Sequence, residues 1–391
     1  MWVFIASLYA LFTLPPLIYL LSITIAGIIG TRRNKTTKQP TNEKEKHEKI
    51  RICVLIPAHN EQQTIKRTID SLLQARQNNE NIDLYVIADN CTDDTANLAA
   101  RTQAKVLERT NKHLRGKGAA LQWAMQQLKD KDYDYTLIID ADSIVNDHYF
   151  DALQSFLQST HSDVVQTRYE ALINTHSSIK RLAMLGFNVL RPKGRVALGG
   201  SAGIMGNGFI VSRNTLERVP FHANSIVEDL EYHMRLVEAD VKVSYCDDAR
   251  VYGEMPNDDA ASDIQSSRWE GGRLGVLKAA FLPLLVKSVT GLCKGELHAL
   301  DALLDLMLLP IGYMVLLLSI GLFLPHTLAL SVFGFYVITL YVIGATLCGN
   351  GLTELSVLRK LPIFLWRKIA RLPALLSASS TKTQWKRTPR K

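Results

Sequence analysis

Residues 136–144 read Thr-Leu-Ile-Ile-Asp-Ala-Asp-Ser-Ile, and this stretch decides the fold that the whole sequence predicts. The apolar run 137–139 is typical of a short buried strand. Asp140 and Asp142 follow directly, and side chains two residues apart on an extended chain point the same way. Two such carboxylates repel each other unless a cation lies between them, and oxygen ligands suit Mg²⁺ or Mn²⁺. The alternative is an ordinary turn after a strand, where Asp is common.

Strands and helices alternate before this stretch. The pattern predicts strands over 52–56, 82–88, 105–108 and 137–139 and helices over 62–76, 93–102 and 118–129. Such alternation implies an α/β domain with a mixed, mostly parallel sheet and helices on both faces. Ligands bind beyond the carboxyl ends of the strands in such sheets, where Pro57-Ala58-His59-Asn60-Glu61 and Asp89 also fall.

The pattern loosens beyond residue 146, where helices near 148–157 and 177–190 and a strand over 163–167 are predicted. A glycine-dense loop, 199–208, follows. Its glycine spacing does not indicate dinucleotide binding, because residues 209–211 continue as a strand and not as a helix. Arg115-Gly116-Lys117-Gly118 is not a P-loop either, since the upstream glycine and the following Ser or Thr are missing.

The net charge of +8 is unevenly distributed. Residues 350–391 carry a net charge of +9, and the remaining 349 residues together carry −1. The basic tail therefore points to anionic lipid headgroups, and no nucleic-acid-binding domain is expected. The five cysteines lack Cys-x-x-Cys spacing, which indicates reduced thiols in a cytosolic compartment and no structural zinc site.

Three apolar segments predict membrane helices. The first, 3–29, is long enough to span ~30 Å of hydrocarbon. A signal peptide is the alternative, but it would need a basic start and a shorter apolar core. The basic residues that follow place this end in the cytoplasm. Segments 306–324 and 327–348 form a hairpin that returns the tail to the cytoplasm.

Two further segments are predicted to lie at the membrane surface. Residues 355–376, taken as a helix, place Lys360, Arg367 and Arg371 opposite a leucine-rich face, and 273–289 is similar. An additional span over 355–376 is the weaker alternative. The expected order is a transmembrane helix (1–30), a linker (31–49), a cytoplasmic catalytic domain (50–275), interfacial helices (276–305), two transmembrane helices (306–349) and an amphipathic helix with a basic tail (350–391).

Three acidic or basic positions at element ends are suited to chemistry. Asp89 ends a strand, where its carboxylate can accept hydrogen bonds from a nucleobase or ribose, or cap the next helix. Lys117 can meet a phosphate at a helix N-terminus, or belong to a flexible basic loop. Asp229 lies in a first helical turn, which favours the ionised carboxylate that accepts a proton, although simple capping is the alternative.

The segment Gln265-Ser-Ser-Arg268-Trp269 precedes the membrane-associated region. Arg268 can hold a phosphate with two donors, and Trp269 can stack on a sugar or pack into the core. The alternative is a helix that only joins the domain to the membrane.

These motifs, in this order and flanked by membrane segments, resemble the membrane-integrated family 2 glycosyltransferases, such as the cellulose, chitin, hyaluronan and poly-N-acetylglucosamine synthases. The resemblance covers about residues 52–275. It implies a GT-A fold, a UDP-sugar donor and a Mg²⁺ or Mn²⁺ cofactor. It further implies that Asp142 binds the metal with Asp140 beside it, and that Asp229 is the catalytic base.

The resemblance also implies which residues bind the donor and acceptor. Lys117 and Arg268 would meet the diphosphate, Trp269 would support the acceptor sugar, and the loop at 206–208 would lie near the acceptor. The implied donor site comprises Pro57, Ala58, Glu61, Asp89, Lys117, Asp140, Gln265, Arg268 and Trp269. The acceptor hydroxyl would attack the anomeric carbon opposite the leaving UDP, so that the configuration inverts.

Two features depart from the processive synthases. Ser266 stands where they usually have Gln or Arg, and the three predicted spans are fewer than theirs. The expected function is inverting, metal-dependent transfer to a growing polysaccharide or exopolysaccharide. Transfer of a single sugar to a lipid or lipid-linked acceptor is the alternative.

Two other classes of protein fit the sequence less well. The intact acidic set disfavours a catalytically silent scaffold. A transporter would need ionisable groups within 306–348, where His326 stands alone. The expected partners are the UDP-sugar, a glycan or glycolipid acceptor and membrane lipids, with an accessory subunit or a homo-oligomer left open.

Overall fold

The computed structural model describes residues 1–36, 50–77, 79–172, 179–222, 227–255, 259–349 and 351–370. The predicted linker over 37–49, residues 177–178 of a predicted helix, and the basic tail over 371–391 lie outside the described residues. The chain divides into two compact units. Within the described residues, one unit comprises 50–172 and 203–265, and the other comprises 1–36, 179–202 and 266–370.

The strands all belong to the first unit. They are β1 (Ile52–Ala58), β2 (Ile82–Asp89), β3 (Lys105–Arg109), β4 (Tyr135–Ile138), β5 (Ser143–Val145), β6 (Val164–Ala171), β7 (Phe209–Ser212) and β8 (Val243–Gly253).

The helices occur in both units. They are α1 (Trp2–Thr36), α2 (Ile65–Arg76), α3 (Thr95–Ala100), α4 (Lys117–Gln127), α5 (Tyr149–Thr160), α6 (Ile179–Met184), a π-helix (Leu185–Leu190), α7 (Arg191–Ala197), α8 (Arg213–Arg218), α9 (Glu228–Glu238), α10 (Asp259–Leu292), α11 (His298–Met307), α12 (Ile311–Gly321), α13 (Leu328–Cys348), a 3₁₀-helix (Gly351–Lys360) and α14 (Leu361–Ala370).

The sheet is mixed and mostly parallel, as the alternating pattern predicts. In the described part of the chain its order is β3-β2-β1-β4-β7-β6-β8-β5. Strands β3, β2, β1 and β4 are parallel to one another, and β7 is antiparallel to both of its neighbours. The parallel half aligns the carboxyl ends of β1, β2 and β4 at one edge, where polar motifs follow the strands.

The central strands are apolar throughout because both of their faces are covered. Strand β1 reads Ile-Cys-Val-Leu-Ile-Pro-Ala and is almost fully buried. Its residues Ile52, Val54 and Ile56 share one core with the buried side chains of α2 and α5. Helix α4 packs against β1 and β2 with Leu121 and Ala124 buried. Helices therefore cover the sheet, and loops lie at the carboxyl ends of its strands.

The second unit contains helices that are long and apolar enough to cross a membrane. Among the described residues these are Trp2–Gly30, Gln265–Leu292 and Leu328–Cys348. The first and third coincide with predicted spans. The second includes the segment 273–289 that was predicted to be interfacial, because Arg273, Lys278 and Lys287 interrupt its apolar run. In the structure one of these charges is neutralised, since Arg273 lies 3.2 Å from Asp305 Oδ2.

The predicted span 306–324 is divided in the structure. Helix α11 ends at Met307, α12 begins at Ile311, and the two meet at 71°. Pro310 is the physical cause, since a proline disfavours helical geometry in the residue before it and lacks an N–H to continue a helix. The predicted turn before α13 is present, with His326 in the left-handed region at φ +68°.

The predicted amphipathic helix 355–376 is also divided. Residues 351–360 form the 3₁₀-helix and α14 begins at Leu361, so that Pro362 lies in a first helical turn where its missing N–H costs little. On α14 the large side chains of Ile363 and Trp366 are exposed, whereas Lys368 is buried and paired with Glu270. Two large apolar side chains of α14 are thus exposed, although they do not lie on the predicted leucine-rich face; such exposure suits a helix that lies on lipid.

Buried ion pairs hold the helices of this unit together. The Arg195 side chain, only 2% exposed, donates from Nη2 to Asp301 Oδ2 at 2.8 Å and from Nε to both oxygens at 3.2 Å. Tyr19 also donates to Asp301, at 2.6 Å, and Arg191 pairs with Asp305 at 2.5 Å. Carboxylates on α11 therefore join α1, α7 and α10 in a low-dielectric interior.

We expect Arg195→Met to destabilise the protein by ~3–5 kcal/mol, because it leaves the Asp301 carboxylate buried without its guanidinium. Thermal unfolding in detergent micelles would measure the effect. The control is Lys66→Met, which breaks the exposed pair with Asp70 (2.5 Å) and is expected to cost less than ~1 kcal/mol. Equal losses of stability in the two variants would contradict a structural role for the buried pair.

Candidate functional site

Two loops meet beyond the carboxyl ends of β1 and β2. His59 Nδ1 donates to the Asp89 carbonyl at 2.7 Å, and Asn60 Oδ1 accepts the Thr92 N–H at 2.7 Å. The Glu61 N–H donates to Thr95 Oγ1 at 2.8 Å. The predicted segment from Pro57 and Ala58 to Glu61 therefore lies beside the end of β2, and its part in binding a nucleoside stays a prediction.

The Asp89 carboxylate has a structural partner that the sequence pattern did not reveal. Its Oδ1 accepts Arg109 Nη1 at 2.5 Å, and both side chains are less than 10% exposed. Arg109 Nη2 donates further to the Leu114 carbonyl at 2.7 Å, just before the Arg115–Gly118 loop. Asp89 thus holds the loop that leads to Lys117, and its contact with a nucleoside stays a prediction.

The two aspartates after β4 lie in a turn and not on an extended strand. Strand β4 ends at Ile138, and the Ser143 N–H donates to the Asp140 carbonyl at 3.1 Å. The expectation that strand alternation aligns Asp140 and Asp142 is therefore wrong, because the chain turns between them. Both carboxylates are half-buried at the strand's carboxyl end.

Lys117 joins this turn to the glycine loop. It is the first residue of α4, after Gly116 with φ +109°. Its Nζ donates to Asp140 Oδ1 at 2.5 Å and to the Gly206 carbonyl. Burial opposes the charged amine, but the carboxylates of Asp140, Glu228 and Asp229 outweigh burial and raise the pKa of Lys117. Lys117 is therefore a firmly held cation among acidic side chains.

Asp229 occupies the first turn of α9, as predicted. Its Oδ1 accepts the Leu230 N–H at 2.8 Å. Burial raises its pKa, while that hydrogen bond and the charge of Lys117 act in the opposite direction. A Cβ at Gly206, where φ is +76°, would lie 2.8 Å from Asp229 Oδ2. The glycine therefore allows the loop to approach this oxygen.

The glycine loop is tied to the end of β4 through Asn207. Asn207 Oδ1 accepts the Asp140 N–H at 3.1 Å, and its Nδ2 donates to Ser143 Oγ at 2.8 Å. The Gly208 N–H donates to the Ile138 carbonyl at 2.9 Å. The strand end, the loop and the start of α4 thus form one connected arrangement.

The structure brings together part of the predicted set. Lys117, Asp140 and Asp229 meet around Gly206 in the sheet-containing unit. Gln265, Arg268 and Trp269 lie on α10, and the last two belong to the helical unit. Their part in a site stays a prediction.

Sequence reasoning missed Arg109 and Gln166. Gln166 is fully buried on β6 and contacts the glycine loop. The signal for Gln166 was a polar side chain directly after the apolar pair Val164-Val165 at the start of β6. A charged residue at the end of β3, the strand beside β2, was the corresponding signal for Arg109.

The carboxylates at this edge fit a divalent ion only in combination with a substrate. Among the described residues, no group of three or more His, Cys, Asp or Glu side chains could hold a metal by itself. Asp140 and Asp142 supply two hard carboxylates at the edge of the sheet. Mg²⁺ is commonly held by one or two carboxylates together with substrate phosphates, so this pair fits such an ion when a diphosphate completes the shell.

Comparison with known proteins identifies the sequence pattern. Residues 50–272 match the family described as "Glycosyltransferase like family 2". Two curated relatives, both named Beta-monoglucosyldiacylglycerol synthase and found in a Nostoc species and in Trichormus variabilis, are 26% identical over 194 residues. That match covers 47% of this chain, and the chain spans only 41% of the length of these relatives.

Similar solved structures include Mannosyltransferase PcManGT from Pyrobaculum calidifontis in complex with GDP-Man and Mn²⁺. It is 15% identical over 94% of this chain and 97% of that chain, with a TM-score of 0.49. Another is S. aureus TarS 1–349 with UDP-GlcNAc, 14% identical over 84% of this chain and 79% of that chain, with a TM-score of 0.42.

We expect Gly206→Ala to destabilise the protein by ~1–2 kcal/mol from its positive φ, with an added loss because the new methyl group meets Asp229. Gly199→Ala is the matched control, since Gly199 has φ +81° but a Cβ there would meet no atom within 4 Å. Thermal unfolding would compare the two variants. Equal losses would show that the approach of residue 206 to Asp229 is unimportant.

Proposed function

The chain belongs to glycosyltransferase-like family 2 and is a sugar-transferring enzyme of class EC 2.4, and from this premise we propose that it transfers a sugar from a UDP-sugar to a lipid or lipid-linked acceptor at the cytoplasmic face of a membrane. The observation that carries the proposal is the meeting of Lys117, Asp140 and Asp229 around Gly206. The positive charge of Lys117 suits a diphosphate leaving group, and the carboxylate of Asp229 suits a hydroxyl that loses a proton.

The acceptor class follows from two separate features. The curated relatives are named as synthases of a glucosylated diacylglycerol. Within its described residues, this chain has three helices long and apolar enough to cross a membrane, up to four if α11 and α12 count as one span. The relatives favour a lipid acceptor, and the apolar helices would bring the enzyme to the membrane where such an acceptor lies. A growing polysaccharide is the second candidate because of the resemblance to processive synthases.

Asp229 is proposed to be the catalytic base. Its Oδ1 already accepts the Leu230 N–H, so Oδ2, which faces Gly206, is the oxygen available to take the proton of the acceptor hydroxyl. The raised pKa that burial produces makes this carboxylate a stronger base. As the hydroxyl attacks the anomeric carbon, UDP leaves from the opposite face and the configuration inverts.

The departing diphosphate needs positive charge. Lys117, which Asp140 and the Gly206 carbonyl hold in place, is proposed to bind it, together with Arg268. A Mg²⁺ or Mn²⁺ ion held by Asp142 and Asp140 would supply further charge neutralisation on the phosphate oxygens. Asp89 and the segment Pro57–Glu61 are proposed to bind the uridine, and Gln265 and Trp269 to support the donor and acceptor sugars.

The membrane arrangement is proposed from the positions of the basic residues. Residues 31–38 contain Arg32, Arg33, Lys35 and Lys38, and the tail beyond 350 is basic. The positive-inside rule then places the catalytic unit in the cytoplasm. The exposed apolar face of α14 is proposed to rest on the lipid of that side.

We expect the full chain in lipid nanodiscs, supplied with Mn²⁺ and a panel of UDP-sugars, to release UDP with one donor and to form a glycolipid carrying one added sugar. Asp229→Asn should lower the transfer rate by ~10²–10⁴-fold, because the amide cannot accept the proton. Glu231→Gln, in the same helical turn, is the control that should keep its activity. A ladder of products would establish the polysaccharide alternative, and full activity of Asp229→Asn would refute its role as base.

We expect Asp142→Asn to weaken Mn²⁺ binding in the presence of UDP by at least ~10-fold, because it removes a charged ligand from a site with few ligands. Electron paramagnetic resonance of free Mn²⁺ measures this without reference to activity. Asp147→Asn, an exposed carboxylate nearby in sequence, is the control. Unchanged Mn²⁺ affinity in Asp142→Asn would remove this residue from the metal site.

A further inference from the structure

Gln166 is a fully buried amide that donates to the carbonyl of its neighbour Thr167 at 2.8 Å and makes its other hydrogen bonds to the glycine loop. It lies on β6 with no solvent exposure. Its Nε2 donates to the Asn207 carbonyl at 2.7 Å and to the Gly208 carbonyl at 3.2 Å. Its Oε1 accepts the Met205 N–H at 2.8 Å. One side chain therefore binds the loop backbone before and after Gly206.

The energetics make this a strong constraint. A buried amide that lacks hydrogen-bond partners is destabilising, so burial of Gln166 favours the arrangement in which the loop is in place. Its neighbour Thr167 donates from Oγ1 to the Gly208 carbonyl at 2.7 Å. Gly206 and Gly208 both have positive φ, and a glycine has more backbone conformations open to it than any other residue. The hydrogen bonds from Gln166 and Thr167 to residues 205–208 form a clamp. This clamp reduces the conformational freedom of a glycine-rich loop.

The clamped loop carries three of the contacts that define the proposed site. The Gly206 carbonyl accepts from Lys117, the Gly206 α-carbon faces Asp229 Oδ2, and Asn207 binds the N–H of Asp140. A shift of the loop would move all three contacts together. Gln166 reaches none of these side chains directly and acts on them through the backbone of residues 205–208.

We infer that Gln166 is a positioning residue, which holds the 205–208 loop so that the acceptor hydroxyl, and not water, is presented to Asp229. The inference rests on the proposed function. If the loop shifts, water can attack the anomeric carbon instead. The carbon–oxygen bond to UDP then breaks, water provides the new oxygen, and its proton goes to Asp229, giving free sugar and UDP.

The first test measures how much of the donor's sugar is transferred to the acceptor and how much is released by hydrolysis. Gln166→Met keeps the volume but removes the hydrogen bonds, and we expect the ratio of free sugar to glycosylated acceptor to rise at least ~10-fold. Because both products come from the same molecules, a loss of folded enzyme leaves the ratio unchanged. Gln154→Met is the matched control, since Gln154 is hydrogen-bonded to Asn79 in the same unit but away from the loop. An equal fall in both products for Gln166→Met would mean a structural role and overturn the inference.

The second test uses a variant whose hydrogen-bonding capacity depends on pH. Gln166→Glu, when protonated, still accepts the Met205 N–H and donates to one loop carbonyl. When ionised, it faces the carbonyl oxygens of Thr167, Asn207 and Gly208 and repels them. Burial raises the pKa of such a carboxyl group, so transfer relative to the wild type should be highest at low pH and fall as the pH rises. A transfer rate of Gln166→Glu that stays at the same low fraction of the wild-type rate at every pH would contradict the clamp.

The third test separates this inference from the proposed function. Hydrogen–deuterium exchange of the peptide that contains residues 203–208 requires no substrate, and we expect faster exchange in Gln166→Met but not in Gln154→Met. Wild-type protein that releases no UDP from any sugar donor would refute the proposed function alone. Unchanged exchange in Gln166→Met would refute the positioning role, whatever the activity.

Discussion

The site depends on the compensation of acidic charge by Lys117. Carboxylates from two elements, Asp140 after β4 and Asp229 in α9, act on this amine, and together with Glu228 they raise its pKa despite its burial. Without the ammonium group these like charges would repel each other at the edge of a low-dielectric sheet. The same nitrogen binds the Gly206 carbonyl, so one cation fixes both the acidic groups and the loop.

The helical unit also buries acidic side chains, and arginines compensate their charge. Asp301 and Asp305, one turn apart on α11, lie among apolar helices and are paired with Arg195, Arg191 and Arg273. These charges are costly to bury, and each pair persists because removing one partner would be costlier still. They connect α11 to α7 and α10 within this unit. Close approach of α7 to α1, which Gly194 allows beside Ile23, complements these pairs.

Local patterns predicted the elements well and their contacts only in part. The first four strands occur along the chain where they were predicted, because an apolar run of strand length is a local feature. Lys117 lies at a helix N-terminus and Asp229 in a first helical turn as expected, although α4 begins at Lys117, one residue before the predicted helix. The expectation of an extended chain from Asp140 to Asp142 is wrong because the turn depends on the Ser143 hydrogen bond, which strand periodicity cannot reveal. The break at Pro310 was not predicted, because the apolar residues on both sides of this proline are typical of one continuous span.

By itself, the sequence determined the class of fold, the three apolar segments and the residues capable of chemistry, because periodicity, charge and apolar length are properties of neighbouring residues. Tertiary structure alone decided which of these residues meet. Lys117 reaches the Gly206 carbonyl across 89 positions, and Gln166 reaches Met205 across 39. Such contacts depend on how β4, β6 and β7 are ordered in the sheet, and that order results from burying all of their apolar faces at once. The polar side chain of Gln166, in a buried strand, therefore acquired its partners and its inferred role only when the sheet was assembled.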